Sequence, residues 1–249
     1  MKRTLKRTGR RLVLPFRHRF RQGVEDPNQP LSFDLGKRSH TLLIAFGGMA
    51  GQIGMPPFEF FKATGELPVK RLFVRDLHQV WYHLGIPGHG ETIEEAAAAL
   101  REIADSRDVD RLVVAGNSAG GYASLAFGTL MGADTALSFA PQTVLDPQIL
   151  AEWDDHRWDD QLGDLLRRGT IPERWADLRR ALDGERSGAT RYEVYFDETL
   201  EVDRLHAERL DGVAGLELHR VGGGEHSVAL KMRESGELGR VLRAALLPA

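Results

Sequence analysis

Apolar, β-branched runs alternate along this chain with Ala-rich and charge-rich stretches, which predicts an α/β fold: a mostly parallel central sheet flanked by helices. Two further observations agree. The 249 residues are 42% hydrophobic and 28% charged, ordinary for a globular chain and enough to bury one large core, so a single domain over 1–249 is the economical organisation. One of the apolar runs ends in Gly116-Asn117-Ser118-Ala119-Gly120 and passes without a break into a helix-compatible sequence, a strand-to-helix junction typical of such sheets.

Taken in order, Arg11–Phe16 and Leu31–Leu35 read as two short leading strands. Thr41–Phe46 is a buried strand that ends in Gly47-Gly48, and Val69–Val74 is the next. Glu91–Ala104 is an Ala-rich helix with Thr92 and Glu95 spaced as a capping box. The strand from Leu112 leads into a helix Ser118–Met131, and Thr135–Ala140 is a strand stopped by Pro141. Residues 142–190 break the alternation: they are rich in Trp, Asp and Arg, helical in character (Pro172–Leu182 for example), and fall between two sheet strands. An insertion there is expected to lie over the carboxyl edge of the sheet as a short helical lid. The alternation resumes with the strand Tyr192–Phe196, a helix Asp203–Leu210, the strand Leu216–Val221 and a closing helix Ser227–Leu247.

Charge is uneven. Residues 1–22 hold nine of the 33 basic residues and no acid, leaving 24 basic against 36 acidic residues in the remainder. A basic arm over 1–30 has the sign to touch an anionic membrane, nucleic acid or an acidic carrier; the preferred reading is a solvated, aggregation-suppressing segment, with no nucleic-acid partner. Its longest apolar run, Leu12 to Phe16, is too short for a signal peptide and contains Pro15, and no stretch has the apolar length of a transmembrane segment. The absence of cysteine removes disulfides, thiolate metal sites and a cysteine nucleophile, and is compatible with a cytoplasmic location.

The five-residue Gly-x-Ser-x-Gly pattern alone arises by chance roughly one time in ten at this composition; its setting is what carries weight. A serine at so sharp a turn is held above a helix amino terminus, with Gly116 and Gly120 needed because side chains there would strike the neighbouring strand and helix. The N–H of Ala119 then faces a developing oxyanion. A second donor is expected from the Gly-rich loop after Thr41–Phe46, with Gly48 nominated and Met49 its near alternative. A serine hydroxyl needs a base and an orienting acid. Of nine histidines, His226 has the right address, in Gly222-Gly223-Gly224-Glu225-His226-Ser227 after the last strand. The acid should come from the loop after Tyr192–Phe196. Asp203 is favoured and Asp197 is its rival, although Asp203 also suits the N-cap of the helix it opens.

These three positions run Ser, Asp, His along the chain, and from about residue 40 to its end the sequence resembles the α/β-hydrolase superfamily. The resemblance implies that superfamily's fold and acyl-transfer chemistry through Ser118, Asp203 and His226, without a cofactor. Two stretches depart from the usual pattern: Phe46-Gly47 stands where His-Gly is common, and Asp197-Glu198-Thr199-Leu200 replaces Gly-x-x-Asp. Arg75-Asp76 with Trp81-Tyr82, and Phe139-Ala140-Pro141-Gln142, are similar to bacterial hydrolase-like proteins, a hint of bacterial origin.

Other constellations carry less. Asp154, Asp155, His156, Asp159 and Asp160 read as a solvated acidic helix face rather than a metal site. Gly222-Gly223-Gly224 lacks the lysine of a phosphate-binding loop, and no dinucleotide fingerprint follows an early strand. Met55, Pro56, Pro57, Phe58, Phe60 and Phe61 are either an acyl pocket or ordinary core. The expected activity is hydrolysis of a small-molecule carboxylic ester or thioester, free or carrier-bound, through an acyl-enzyme on Ser118. The alternatives are acyl transfer or cyclisation on the same residues, and a catalytically silent binding or assembly protein. Neither the acyl and leaving groups nor the oligomeric state can be read from the chain.

Overall fold

The computed structural model describes residues 26, 28–49, 60–184 and 190–247. The expected strand Arg11–Phe16, most of the basic arm, and the pocket candidates Met55 to Phe58 lie outside these.

Seven strands form one sheet in the order β1-β3-β2-β4-β5-β6-β7, with β1 Leu31–Asp34, β2 Thr41–Phe46, β3 Lys70–Val74, β4 Arg111–Asn117, β5 Thr135–Phe139, β6 Arg191–Phe196 and β7 Leu216–Arg220. Only β1 runs antiparallel, pairing Leu31 with Val74; the other five pairings are parallel. The helices are α1 Phe60–Ala63, α2 Ile93–Asp105, α3 Ala119–Met131, α4 Pro147–Glu152, α5 Asp159–Arg168, α6 Glu173–Ala176, α7 Leu178–Leu182, α8 Glu201–Glu208, α9 Val228–Glu234 and α10 Glu237–Leu246, with a 3-10 turn at Glu225–Ser227.

Strand alternation splits the core into two layers. Leu42, Ile44 and Phe46 of β2 face a cluster with α2, α3, the 142–190 helices and α8, while Leu43 and Ala45 face one with α1, α9 and α10. Central strands buried on both faces need continuous apolar runs, which is why β2 and β4 were so legible. Phe60 is buried in the second layer against Phe139, and Phe61 packs on Phe73. Both are core.

Several boundaries differ from expectation for physical reasons. The stretch Pro172–Leu182 is two short helices, because Asp177 takes an extended conformation, bridges Val144 and caps α7 through the Arg179 N–H. The closing helix is also two, divided at Gly236, whose φ of 81° lies in the left-handed region. The capping box is half formed: Thr92 accepts from the Glu95 N–H, but Glu95 reaches back to the Glu91 N–H. Asp203 is not an N-cap. That position belongs to Leu200, so Asp203 sits in the first turn of α8 and its carboxylate is free of capping duty.

Candidate active site

The junction of β4 and α3 has the strained form that the two glycines allow. Ser118 has φ 56° and ψ −120°, outside the regions that side-chain-bearing residues favour. A Cβ on Gly116 would stand 1.8 Å from Gly120 O, and one on Gly120 would stand 2.4 Å from Phe46 O. The helix therefore closes on β4 and on the end of β2 only because both positions lack side chains. The Ser118 N–H donates to Phe139 O at 2.8 Å, which ties the turn to β5.

Ser118, His226 and Asp203 meet although they are distant in sequence. Ser118 Oγ lies 2.9 Å from His226 Nε2. His226 Nδ1 lies 2.8 Å from Asp203 Oδ2 and 3.1 Å from Oδ1. Burial alone would raise the Asp203 carboxyl, but the hydrogen bonds from His226 and Arg157, with the charge of the guanidinium, outweigh it and hold it below the ordinary carboxylate range. An ionised carboxylate only accepts hydrogen bonds, so the proton sits on His226 Nδ1 and the Nε2 lone pair faces the serine hydroxyl.

Asp197, the rival acid, does something else. Its Oδ1 accepts from the N–H and hydroxyl of Thr199, and its Oδ2 from the N–H groups of Gly224 and Glu225 at 2.7 Å each. It staples the end of β6 to the loop that carries His226 and holds Glu225 at a φ of 48°.

At the oxyanion side, Ala119 opens α3, where a backbone N–H has no partner within the helix. Gly48 lies against the elbow: a Cβ there would stand 3.0 Å from Asn117 O and 3.8 Å from the Ser118 Cβ. Among the described residues nothing accepts from the Gly48 N–H, whereas Gly47 N–H is taken by Val74 O. Met49 packs its side chain toward the core. The loop is propped from below by the Tyr82 hydroxyl, within hydrogen-bond distance of Gly47 O and Val74 O. Tyr82 in turn sits in a loop held by Asp76, which accepts from the N–H groups of His78, Gln79, Val80 and Tyr82. Phe46, standing where a histidine is common, is buried against Tyr82 and Phe127.

The acidic stretch in the insertion is where sequence reasoning missed most. His156 pairs with Asp154 and Asp159 at the surface as expected, but Asp155 is only 3% exposed. Arg157 grips it with two nitrogens and donates a third hydrogen bond to Asp203. Asp155 also accepts from His206, whose Nδ1 takes the Thr143 N–H, so that Nε2 carries the proton. Burial lowers the basicity of His206 against the pull of Asp155, and Arg157 and His206 overcome burial to hold Asp155 far below the carboxylate range. The Trp158 ring lies 6.4 Å from the His226 ring. The one available signal was an arginine between two tryptophans in an otherwise acidic run. Among the described residues, no group of three or more His, Asp or Glu is placed to hold a metal ion, and no helix is long and apolar enough to cross a membrane.

No protein-family model matches the sequence, and no curated protein matches it. Solved structures do. Esterase LipW from Mycobacterium marinum is 17% identical, with 96% of this chain and 89% of that one covered at a TM-score of 0.57. Carboxylesterase CesB from Bacillus subtilis is 14% identical, with 95% and 98% covered at 0.56. An alpha/beta hydrolase enzyme from the metagenome of sediments of the Mar Chica lagoon, Morocco, is 15% identical, with 86% and 93% covered at 0.53. The likeness at these identities is one of fold, and the fold is that of the α/β-hydrolases.

Proposed function

We propose that this α/β-hydrolase fold carries a serine hydrolase acting on small-molecule carboxylic esters or thioesters. The observation that carries the reading is the unbroken hydrogen-bond chain from Ser118 Oγ through His226 to Asp203, at 2.9 and 2.8 Å. Esterases among the proteins of like fold support the ester class.

His226 Nε2 takes the Ser118 proton as Oγ attacks the acyl carbonyl, and Asp203 steadies the imidazolium that results. Negative charge on the carbonyl oxygen is met by the N–H groups of Ala119 and Gly48. The imidazolium then protonates the departing alcohol or thiol, leaving an acyl-serine. Water, deprotonated by His226 in the second half, attacks that ester and releases the acid. No cofactor enters. The 142–190 segment serves as the lid, with Trp158 beside His226 narrowing access by water.

A fluorophosphonate probe and a panel of p-nitrophenyl esters and acyl thioesters test the reading. The wild type is labelled and turns over a subset by acyl length; Ser118→Ala is unlabelled and loses roughly 10⁴- to 10⁶-fold in kcat. Equal residual rates in the two proteins would sink the mechanism, and a folded wild type that neither labels nor turns over any substrate would favour a binding protein instead.

A further inference from the structure

Among the described residues, the Asp203 carboxylate is held by side chains alone. It sits inside α8 rather than at its cap, and among the described residues no backbone N–H donates to its carboxylate. His226 Nδ1 stands almost equally near both oxygens, 2.8 Å from Oδ2 and 3.1 Å from Oδ1, so that one donor leaves the carboxylate plane free to turn. The second fixed point is Arg157, whose Nη1 donates to Oδ1 at 2.7 Å.

Arg157 is itself held. Its Nε and Nη2 each donate to Asp155 at 2.8 Å, a two-point contact that sets the plane of the guanidinium. Asp155 is braced by His206 at 3.1 Å, and His206 by the N–H of Thr143 at 3.1 Å. Both carboxylates are almost wholly buried, and the Arg157 side chain between them is 27% exposed. The carboxylate oxygens facing Arg157 cannot fall back on water, so the contact is hard to exchange for solvent. Arg157 and Asp155 belong to the insertion, whereas Asp203 and His206 belong to α8, one helical turn apart on the same face.

We infer that Arg157 is a positioning residue for Asp203, making docking of the 142–190 insertion a condition for an ordered Ser118–His226–Asp203 constellation. The inference rests on the serine-hydrolase reading for its catalytic consequence, but the ordering of Asp203 against His226 has a readout that needs no turnover. Arg157 touches no reacting atom; it acts through Asp203.

The test compares Arg157→Gln, Arg157→Lys and Arg157→Ala with the wild type, after circular dichroism and melting confirm that each is folded. In turnover, Arg157→Gln is expected to lose ten- to a hundredfold in kcat, on the scale of a misplaced catalytic group, roughly 10²-fold per ångström, with KM little changed. Arg157→Lys, which keeps the charge without the planar fork, recovers part of that loss. Millimolar guanidinium restores Arg157→Ala in a saturable way. In a Ser118→Ala background, the far-downfield proton resonance of His226 Nδ1–H, sharp with Arg157 present, broadens or disappears in Arg157→Gln. A wild type that shows no Ser118-dependent turnover but loses this resonance on Arg157→Gln defeats the hydrolase reading and leaves the positioning role standing. An active wild type with kcat and resonance both unchanged in Arg157→Gln overturns the positioning role alone. Should Arg157→Gln not fold, an Arg157→Lys protein with wild-type kcat and resonance overturns it equally.

Discussion

Two aspartates six residues apart, Asp197 at the end of β6 and Asp203 in α8, are both shielded from water, 0% and 1% exposed, yet they meet different partners. Asp197 is satisfied by three backbone N–H groups and one hydroxyl, all neutral donors fixed by local chain geometry. Asp203 meets an imidazole and a guanidinium, both side chains from distant segments. The first arrangement suits a carboxylate that holds a loop in place. The second suits one that answers a charge appearing and disappearing on its neighbour, since the imidazole can gain and lose a proton while the guanidinium keeps its charge. Burial of a carboxylate therefore says little about its task; the chemistry of its donors says much more.

The largest effect that separates the two is on turnover. Asp203→Asn puts an amide where His226 needs an acceptor-only partner, and the imidazole is then free to take the wrong tautomer. A loss of about 10³- to 10⁴-fold in kcat with little change in KM is expected, measured on the best p-nitrophenyl ester. Asp197→Asn should cost only about tenfold, through a looser His226 loop. If the order is reversed, with Asp197→Asn the more damaging to kcat, the roles drawn from the hydrogen bonds are wrong and Asp197 is the acid.

The second effect is on stability and runs the other way. An asparagine at 197 satisfies one of the two donor pairs and turns its NH₂ toward the other. About 2 kcal/mol of stability should be lost, read as a lowered midpoint in urea with unchanged m-value. Asp203→Asn leaves Arg157 its two bonds to Asp155, and should cost less than Asp197→Asn in the same titration. Equal midpoints for the two variants would erase the distinction between loop staple and charge partner.

How much of this was readable from the chain depended on whether the cause was local. β2, β4 and the elbow were legible because burial on both faces forces apolar runs, and because only glycine tolerates the approach of Gly120 to the end of β2. His226 was found by its place after the last strand. Asp203 is preferred to Asp197 on sequence, and the competing N-cap reading falls because the cap is Leu200; still, nothing in the spacing distinguishes a carboxylate served by backbone N–H groups from one served by side chains. Beyond an arginine set between Trp153 and Trp158, nothing in the chain marks Arg157 or His206. Asp155 meets His206 across 51 positions, and a run of Asp and Arg looks the same whether it is solvated or folded inward. The split of the closing helix at Gly236 and of Pro172–Leu182 at Asp177 came from single-residue geometry that periodicity averages over.

The smallest effect lies in acid. Asp197 and Asp203 are both held below their ordinary range, by hydrogen bonds that outweigh burial. For such groups the stabilisation is complete above the unfolded carboxylate value near about 3.9 and is lost as pH falls through the lowered native values. The sign follows because below that point the unfolded chain takes up protons that the native carboxylates refuse. Asp197→Asn removes one of the two contributions and should flatten the stability curve below pH ~4 by less than one proton. Between pH 5 and 7 the variant should run parallel to the wild type, offset only by the loss already described. A divergence that begins above pH 5 would instead mean that a group other than these carboxylates is coupled to the staple at Asp197.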